Sequence, residues 1–217
     1  MVFHDPDYAP DAFEVKISEL LVATPEGSDA LIDASVSEVL RLLREHLKMD
    51  VVFVSEFVDG RRVFRRVDTS PESRVIEPGQ SSPLEESFCQ RVIDGRLPRL
   101  VRDGAALPTF GELPPTDFPV GAHLSTPIVL NDGRVYGTLC CFSFAPNEQL
   151  TQRDLKKLEM SAQLTAKKIN ESRARDAERA MAPTGRCAAG RISPSALIQS
   201  SATADQEPDR SPVSTVG

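Results

Sequence analysis

The chain has 217 residues, 40% of them hydrophobic, and a formal net charge of -7. This length indicates one domain with extensions, and the acidic balance disfavours nucleic acid or an anionic membrane surface as the main partner. No long apolar run and no secretory start is present, so we expect a cytoplasmic protein with neither nucleic acid nor a membrane among its partners.

The cysteines show no spacing typical of a metal site, so we expect no bound metal. Cys140 and Cys141 are adjacent in a predicted strand and point to opposite faces, so they cannot hold one zinc ion together. Reduced, buried thiols are the expected state of these residues.

The first part of the chain consists of a polar extension followed by apolar elements. Residues 1–27 form an N-terminal extension whose short apolar set predicts either a helical turn packed on the domain or a dimer contact. Apolar steps of three and four predict a helix over residues 30–48. The apolar run of residues 51–58 predicts a buried strand, which the hairpin signal Asp59-Gly60 joins to a second strand.

The second strand carries four arginines, for which we considered two interpretations. A cluster of this kind could bind phosphate, but no glycine-rich loop or helix N-terminus accompanies it. We therefore favour a solvated strand near the edge of the sheet. The arginines are Arg61, Arg62, Arg65 and Arg66.

A helix and a long loop follow. Ser82 as N-cap, Pro83 at the first helical position and Glu85 in a capping box predict a helix that ends at Gly95. Residues 97–101 suit a short strand. The proline-rich stretch of residues 102–120 is longer than an ordinary connection and predicts a lid loop.

The next segment is a predicted hairpin over residues 121–144, in which Asn131-Asp132-Gly133 marks the turn. Neither face of its second arm is strongly polar, so we expect this strand to be covered on both sides. If Leu130 faces Val135, then His123 faces Phe142 and Ser125 faces Cys140. Alternation also puts Tyr136 on the same face as Cys140.

A long helix opens at Thr151 and has an apolar seam up to Ile169. It stays compositionally favourable to about residue 182, and the part from Ser172 onward is either solvated or paired with a second copy of the chain. Residues 183–217 are rich in Pro, Ser, Thr, Gly and Ala, a composition that predicts disorder.

Residues 30–172 resemble a GAF domain, a family of small-molecule and partner-binding sensor modules. The order of elements matches, and so do the Ser-x-Pro pattern at Ser125-Thr126-Pro127 and the Gly-x-Leu pattern at Gly137-Thr138-Leu139. The closer resemblance is to bacterial GAF modules with segments like Ser87-Phe88-Cys89-Gln90-Arg91-Val92.

The resemblance implies an α+β fold with a six-stranded antiparallel sheet. The N- and C-terminal helices would pack on one face, and a helix plus the long loop would cover a pocket on the other. The implied division is an extension over 1–27, the GAF domain over 28–172, the end of a signalling helix over 173–182 and a disordered tail over 183–217.

In similar proteins the module lies upstream of cyclic-di-GMP phosphodiesterases, diguanylate cyclases or histidine kinases. The resemblance therefore implies a signalling output protein as a partner and a homodimer formed through the terminal helices. The change of composition after Met181 suggests the hypothesis that the tail replaced a lost output domain.

The pocket is expected to bind a small molecule whose identity the sequence does not give, and no cofactor is assigned. The candidate ligand-binding residues are Phe88, Cys89, Arg102, Asp103, Phe110, His123, Ser125 and Cys140. For each of these a structural role in the core or loop is the alternative. No catalytic residue is predicted.

We therefore expect a non-catalytic sensor module that binds a small molecule and signals through its terminal helices, within cyclic-di-GMP or two-component signalling. One alternative is a redox-responsive or thiol-based enzyme that uses Cys89 or Cys140. A second is a protein-interaction module without a ligand, its pocket filled by phenylalanine side chains.

Overall fold

The computed structural model describes residues 11–22, 29–85, 87–108 and 115–181. Four helices and six strands lie within these ranges. In chain order they are α1 (Ala12–Val22), α2 (Asp29–Leu47), β1 (Val51–Val58), β2 (Arg61–Thr69), β3 (Ser81–Pro83), α3 (Phe88–Ile93), β4 (Leu100–Val101), β5 (Ala122–Val129), β6 (Val135–Ser143) and α4 (Gln152–Met181). The predicted disordered tail lies outside the described residues.

The six strands form one sheet in the order β3-β2-β1-β6-β5-β4, with every neighbouring pair antiparallel. The α+β fold class and the six-stranded antiparallel sheet predicted from the sequence are thus confirmed. The central strands are β1 and β6, and their apolar composition agrees with burial on both faces.

Strands β1 and β2 are joined by a tight two-residue turn. Asp59 and Gly60 have φ values of 50° and 72°, the positive values that this kind of hairpin requires. Opposite Val54 the register shifts by one residue, which leaves Arg65 as an extra residue in β2.

One face of the sheet is covered by the terminal helices α1, α2 and α4. Side chains from alternate positions of β1 and β6 project into this layer, among them Val52, Val54, Leu139 and Cys141. The helices contribute a continuous apolar core that includes Ile17, Leu40, Leu43, Leu158 and Ala162. The predicted seam of the last helix therefore lies on the sheet.

The second hairpin has the predicted pairs, although its turn is shorter than expected. Leu130 pairs with Arg134 rather than Val135, because Gly133 adopts a φ of 82° and closes a three-residue turn. The shorter turn offsets the pairing by one residue, and the register changes back at Tyr136, which is an extra residue in β6. His123 consequently faces Phe142, and Ser125 faces Cys140.

The same irregularity corrects the expected position of Tyr136. This residue packs with the helix-covered core rather than on the face of Cys140, because the bulge interrupts the alternation of side chains. Gly137, the next residue, lies so close to β1 that a Cβ atom would overlap the carbonyl group of Ser55.

The helix start predicted at Ser82 is wrong. Residues 81–83 instead form the edge strand β3, which pairs with Arg61 to Val63 of β2. An edge position tolerates Pro83 because it requires no further ladder bond. The helix begins after Ser87, whose Oγ accepts a hydrogen bond from the Gln90 amide at 3.1 Å.

Helix α4 is capped as its sequence predicts. The amide of Thr151 donates to the Asp154 carboxylate at 2.8 Å, and the amide of Asp154 donates to the Thr151 hydroxyl at 3.3 Å. Among the described residues, neither α4 nor any other helix combines the length and the apolar character needed to cross a lipid bilayer.

Candidate functional site

The face of the sheet away from the terminal helices carries a cavity of about 150 Å³. Its cover consists of α3 and the end of the loop that leads into β5. Five aromatic side chains line it: Phe53, Phe64, Phe88, Phe118 and Phe142. Phe118 of the loop stacks on Phe142 of β6 with ring centroids 5.2 Å apart, and this contact holds the loop against the sheet.

Arg62 supplies a guanidinium group to this cavity. It alternates with Phe64 along β2, so both side chains project from the same face of the sheet. Its Nη2 donates to Ser82 Oγ at 3.0 Å, and its Nη1 lies 3.6 Å from Cys89 Sγ. The guanidinium lies 4.7 Å from the Phe64 ring, yet its Nε is buried without a hydrogen-bond partner.

His123 of β5 contributes a second polar group with an unused position. The residue is 3% exposed, and its Nδ1 is buried without a hydrogen-bond partner. Burial lowers the pKa of His123 to about 4, and the positive charge of Arg62 acts in the same direction. The imidazole is therefore neutral at pH 7, with its ring centroid 5.6 Å from that of Phe88.

Beneath the cavity, the central strands carry a row of buried polar groups that satisfy one another. Ser125 Oγ lies 2.8 Å from Cys140 Sγ, which donates to Thr138 Oγ1 at 3.1 Å. Thr138 Oγ1 in turn lies 2.9 Å from Ser55 Oγ. This row joins three adjacent strands, and because its members are hydrogen-bonded it is consistent with full burial.

Two thiols meet where α3 crosses this row. Cys89 Sγ lies 3.4 Å from Cys140 Sγ, and both residues are completely buried and free of disulfides. The hydrogen bond with Cys140 and the charge of Arg62 lower the pKa of Cys89, although burial opposes the shift. Burial holds the pKa of Cys140 well above its usual value.

The structure brings together five of the eight residues named from the sequence. Phe88, Cys89 and His123 line the cavity, whereas Ser125 and Cys140 lie beneath it. The other three residues are Arg102, Asp103 and Phe110, and Phe110 lies outside the described residues.

Arg102 and Asp103 lie at the start of the loop and are not among the cavity walls. The Nε of Arg102 donates to the Leu150 carbonyl at 2.7 Å, and the Arg102 carbonyl accepts from Asn147. Asp103 accepts a hydrogen bond from the amide of Ala105 at 2.9 Å. The contacts of Arg102 fasten the loop to the segment before α4, whereas that of Asp103 lies within the loop.

Sequence reasoning missed Arg62, which it assigned with the other arginines to a solvated edge. The adjacent strand β3, which was not predicted, and helix α3, whose predicted start was wrong, contact its side chain. Arg62 and Phe64 are two positions apart in one strand, and this spacing could have indicated that both side chains lie on the same face of the sheet. Arg62 is also the cation beside the Cys89 sulfur, at 3.6 Å, although it lies in a different element.

The site contains no constellation for metal binding. Among the described residues, no group of three or more His, Cys, Asp or Glu side chains is close enough to hold a metal ion. The groups that are present suit a different chemistry: a cation and a neutral imidazole with free hydrogen-bonding positions, surrounded by aromatic rings.

Comparisons with known proteins agree with this architecture. The family model described as GAF domain matches residues 32–169. The comparison with curated proteins found no match.

Solved structures of several GAF domains are similar to this chain. One is the GAF domain from an Acinetobacter phosphoenolpyruvate-protein phosphotransferase, with 15% identity and a TM-score of 0.58, covering 76% of this chain and 97% of that one. The corresponding domain from Coxiella burnetii has 19% identity and a TM-score of 0.58, with coverage of 76% and 95%.

A bacteriophytochrome from R. palustris is also similar. It has 14% identity and a TM-score of 0.58, covering 79% of this chain and 40% of that one. At these identities the likeness establishes the fold and leaves the ligand open.

Proposed function

This chain belongs to the GAF domain family of sensor and regulatory modules, and from that premise we propose that it binds a small organic anion in the cavity beneath α3. The observation that carries the proposal is the unpartnered, buried Nε of Arg62 in an aromatic cavity. A buried donor without an acceptor is destabilising by roughly 1–3 kcal/mol, and a bound carboxylate would supply that acceptor.

The size of the cavity favours a ligand with a single ring or a short chain. A cavity of about 150 Å³ is large enough for a molecule of the size of benzene. The five phenylalanines suit an apolar body, whereas Arg62 and the free Nδ1 of His123 suit a polar or charged end. The proposed ligand class is therefore a small carboxylate with an aromatic or aliphatic body.

The proposed signal passes from the cavity to the terminal helices through β1. Phe53 of this strand lines the cavity, and the next residue but one, Ser55, contacts Thr138 of β6. Glu56 follows on the helix-covered face, where Arg173 of α4 lies 3.4 Å from its carboxylate. A shift of β1 on ligand binding would change this contact at the point where α4 leaves the sheet.

The module is proposed to act without catalysis of its own. Its readout would be a change in α4 transmitted to a second copy of the chain or to an output protein of cyclic-di-GMP or two-component signalling. Sedimentation velocity tests the dimer, because a monomer at all accessible concentrations contradicts it.

The ligand class is tested by calorimetric titration of the full chain with benzoate, cyclohexanecarboxylate and hexanoate, and with uncharged benzamide. We expect at least one carboxylate to bind more tightly than benzamide. Arg62→Met should weaken that binding by about 10- to 100-fold, the factor expected for one charge-assisted hydrogen bond.

Arg61→Met is the matched control. Arg61 is adjacent in the same strand, but it is exposed and bonds to Ser81 outside the cavity. Binding should be unchanged in this variant. The proposal is wrong if no carboxylate binds, if benzamide binds as tightly, or if both arginine variants lose binding equally.

A further inference from the structure

Two thiols from distant parts of the chain converge at the base of the cavity. Cys89 lies on α3, which covers the sheet, and Cys140 lies in the central strand β6. Their sulfur atoms are 3.4 Å apart, and neither is in a disulfide. A disulfide requires a sulfur–sulfur distance of about 2.05 Å, so an approach of roughly 1.4 Å would join them.

The surroundings of the pair differ for its two members. Cys89 is a wall of the cavity and has the Arg62 guanidinium 3.6 Å from its sulfur, an arrangement that favours the thiolate. Cys140 is beneath it and hydrogen-bonded to Ser125 and Thr138. Cys89 therefore has the position of an attacking thiol, and Cys140 that of a resolving thiol.

Cys141 provides an internal contrast. It is the next residue in β6, but its side chain lies in the apolar core between the sheet and the terminal helices. Burial there raises the pKa of its thiol strongly. The arrangement beside Arg62 is consequently a property of one face of the sheet rather than of the adjacent cysteines as a group.

We propose that Cys89 and Cys140 form a reversible disulfide when a small hydroperoxide enters the cavity, which makes the domain a thiol-based redox switch. The Cys89 thiolate attacks one peroxide oxygen, so that an S–O bond forms and the O–O bond breaks. The departing alkoxide or hydroxide takes up a proton and leaves as alcohol or water. Cys89 is then a sulfenic acid.

Cys140 completes the reaction. Its sulfur attacks the Cys89 sulfur, the S–S bond forms and the S–O bond breaks, and the released hydroxide combines with the Cys140 proton as water. In total the two sulfurs lose two electrons and the hydroperoxide gains two. A dithiol reductant reverses the change by thiol–disulfide exchange.

The disulfide would alter both the cavity and its cover. Shortening the sulfur contact draws α3 toward β6, and it moves the Cys89 sulfur relative to Arg62. The burial of both thiols restricts the reaction to small oxidants, because larger disulfide reagents do not fit a cavity of this size. The switch does not depend on the carboxylate site, since its readout is a covalent bond.

The experiment treats the reduced full chain with hydrogen peroxide under native conditions and then blocks the remaining thiols. Compared with a reduced sample blocked in the same way under denaturing conditions, the intact mass should show two fewer blocking groups, and dithiothreitol added before blocking should restore them. A tryptic map without reductant should join the peptide of Cys89 to the peptide that contains Cys140 and Cys141 within one chain.

Three variants identify the partner. Cys141→Ala should retain the disulfide and Cys140→Ala should lose it, and in Cys140→Ala dimedone should label Cys89 after peroxide treatment. Cys89→Ala should form neither product.

Several results overturn the proposal. The native wild-type protein must form the bond, so unchanged mass after peroxide refutes it whether or not a variant folds. A bond that involves Cys141 or Cys187, or one that joins two chains, also refutes it. A disulfide that forms only in urea shows that the folded cavity does not permit the reaction.

Discussion

Acid should destabilise this protein partly through His123, and the effect can be calculated from its surroundings. His123 is fully buried between β5 and α3, and burial together with the charge of Arg62 lowers its pKa to about 4. In the unfolded chain the pKa is 6.5. Between these two values the unfolded state binds a proton that the folded state does not bind.

The sign and size of the effect follow from proton linkage. Because the folded pKa is depressed, the contribution is fully present above pH 6.5 and is lost as the pH falls toward 4. Each pH unit in this window costs about 1.4 kcal/mol, so His123 alone removes about 2 kcal/mol between pH 7 and pH 5.

The assay is urea unfolding of the wild type and of His123→Gln at pH 8, 7 and 5. Glutamine does not titrate, so the variant should lose about 2 kcal/mol less than the wild type between pH 7 and 5. Contributions from the other groups, including His46, are common to both proteins.

Between pH 8 and 7 the two free energies of unfolding should change in parallel, because little protonation of histidine occurs there. This range is the internal control. If the two proteins also lose the same free energy between pH 7 and 5, the histidine is not neutral and buried as described, and the reasoning is refuted.

Three further predictions concern packing. Gly137→Ala should destabilise the fold by more than about 4 kcal/mol in chemical denaturation, because the added Cβ would overlap the Ser55 carbonyl. An unfolding midpoint equal to that of the wild type would contradict the close approach of β6 to β1. Phe118→Ala removes the ring that stacks on Phe142 and should reduce the free energy of unfolding by about 1–2 kcal/mol. Proteolysis of the loop is the second readout and should become faster, so an unchanged cleavage rate would count against the contact. Burial raises the pKa of Tyr136 to about 12. In an ultraviolet titration, one of the two tyrosines should therefore ionise at a pH about two units above the usual value near 10. A single transition near pH 10 would refute the burial of Tyr136.

The sheet was predictable where the sequence has strong local signals. The apolar run of β1, the Asp59-Gly60 turn and the apolar second arm of the last hairpin each determine local conformation through side-chain branching and permitted φ values. The facing pairs His123–Phe142 and Ser125–Cys140 were also correct. They were correct, however, because a shorter turn and the bulge at Tyr136 cancel.

The start of the covering helix shows where local signals mislead. Ser82, Pro83 and Glu85 have the spacing of a helix N-terminus, yet residues 81–83 pair with β2 at the edge of the sheet. An available sheet edge offers backbone hydrogen bonds that a local capping pattern cannot outweigh. The helix consequently begins five residues later, after a different serine.

By itself, the sequence determined most of the elements, the two faces of the central strands apart from the bulge at Tyr136, and the family. Only the tertiary structure decided which side chains share the cavity. Arg62 and Cys89 are 27 positions apart, and Cys89 and Cys140 are 51 apart. Periodicity assigns each residue to a face of its own element, but the distance between two faces is decided by how the elements pack, and a single sequence does not contain that information in local form.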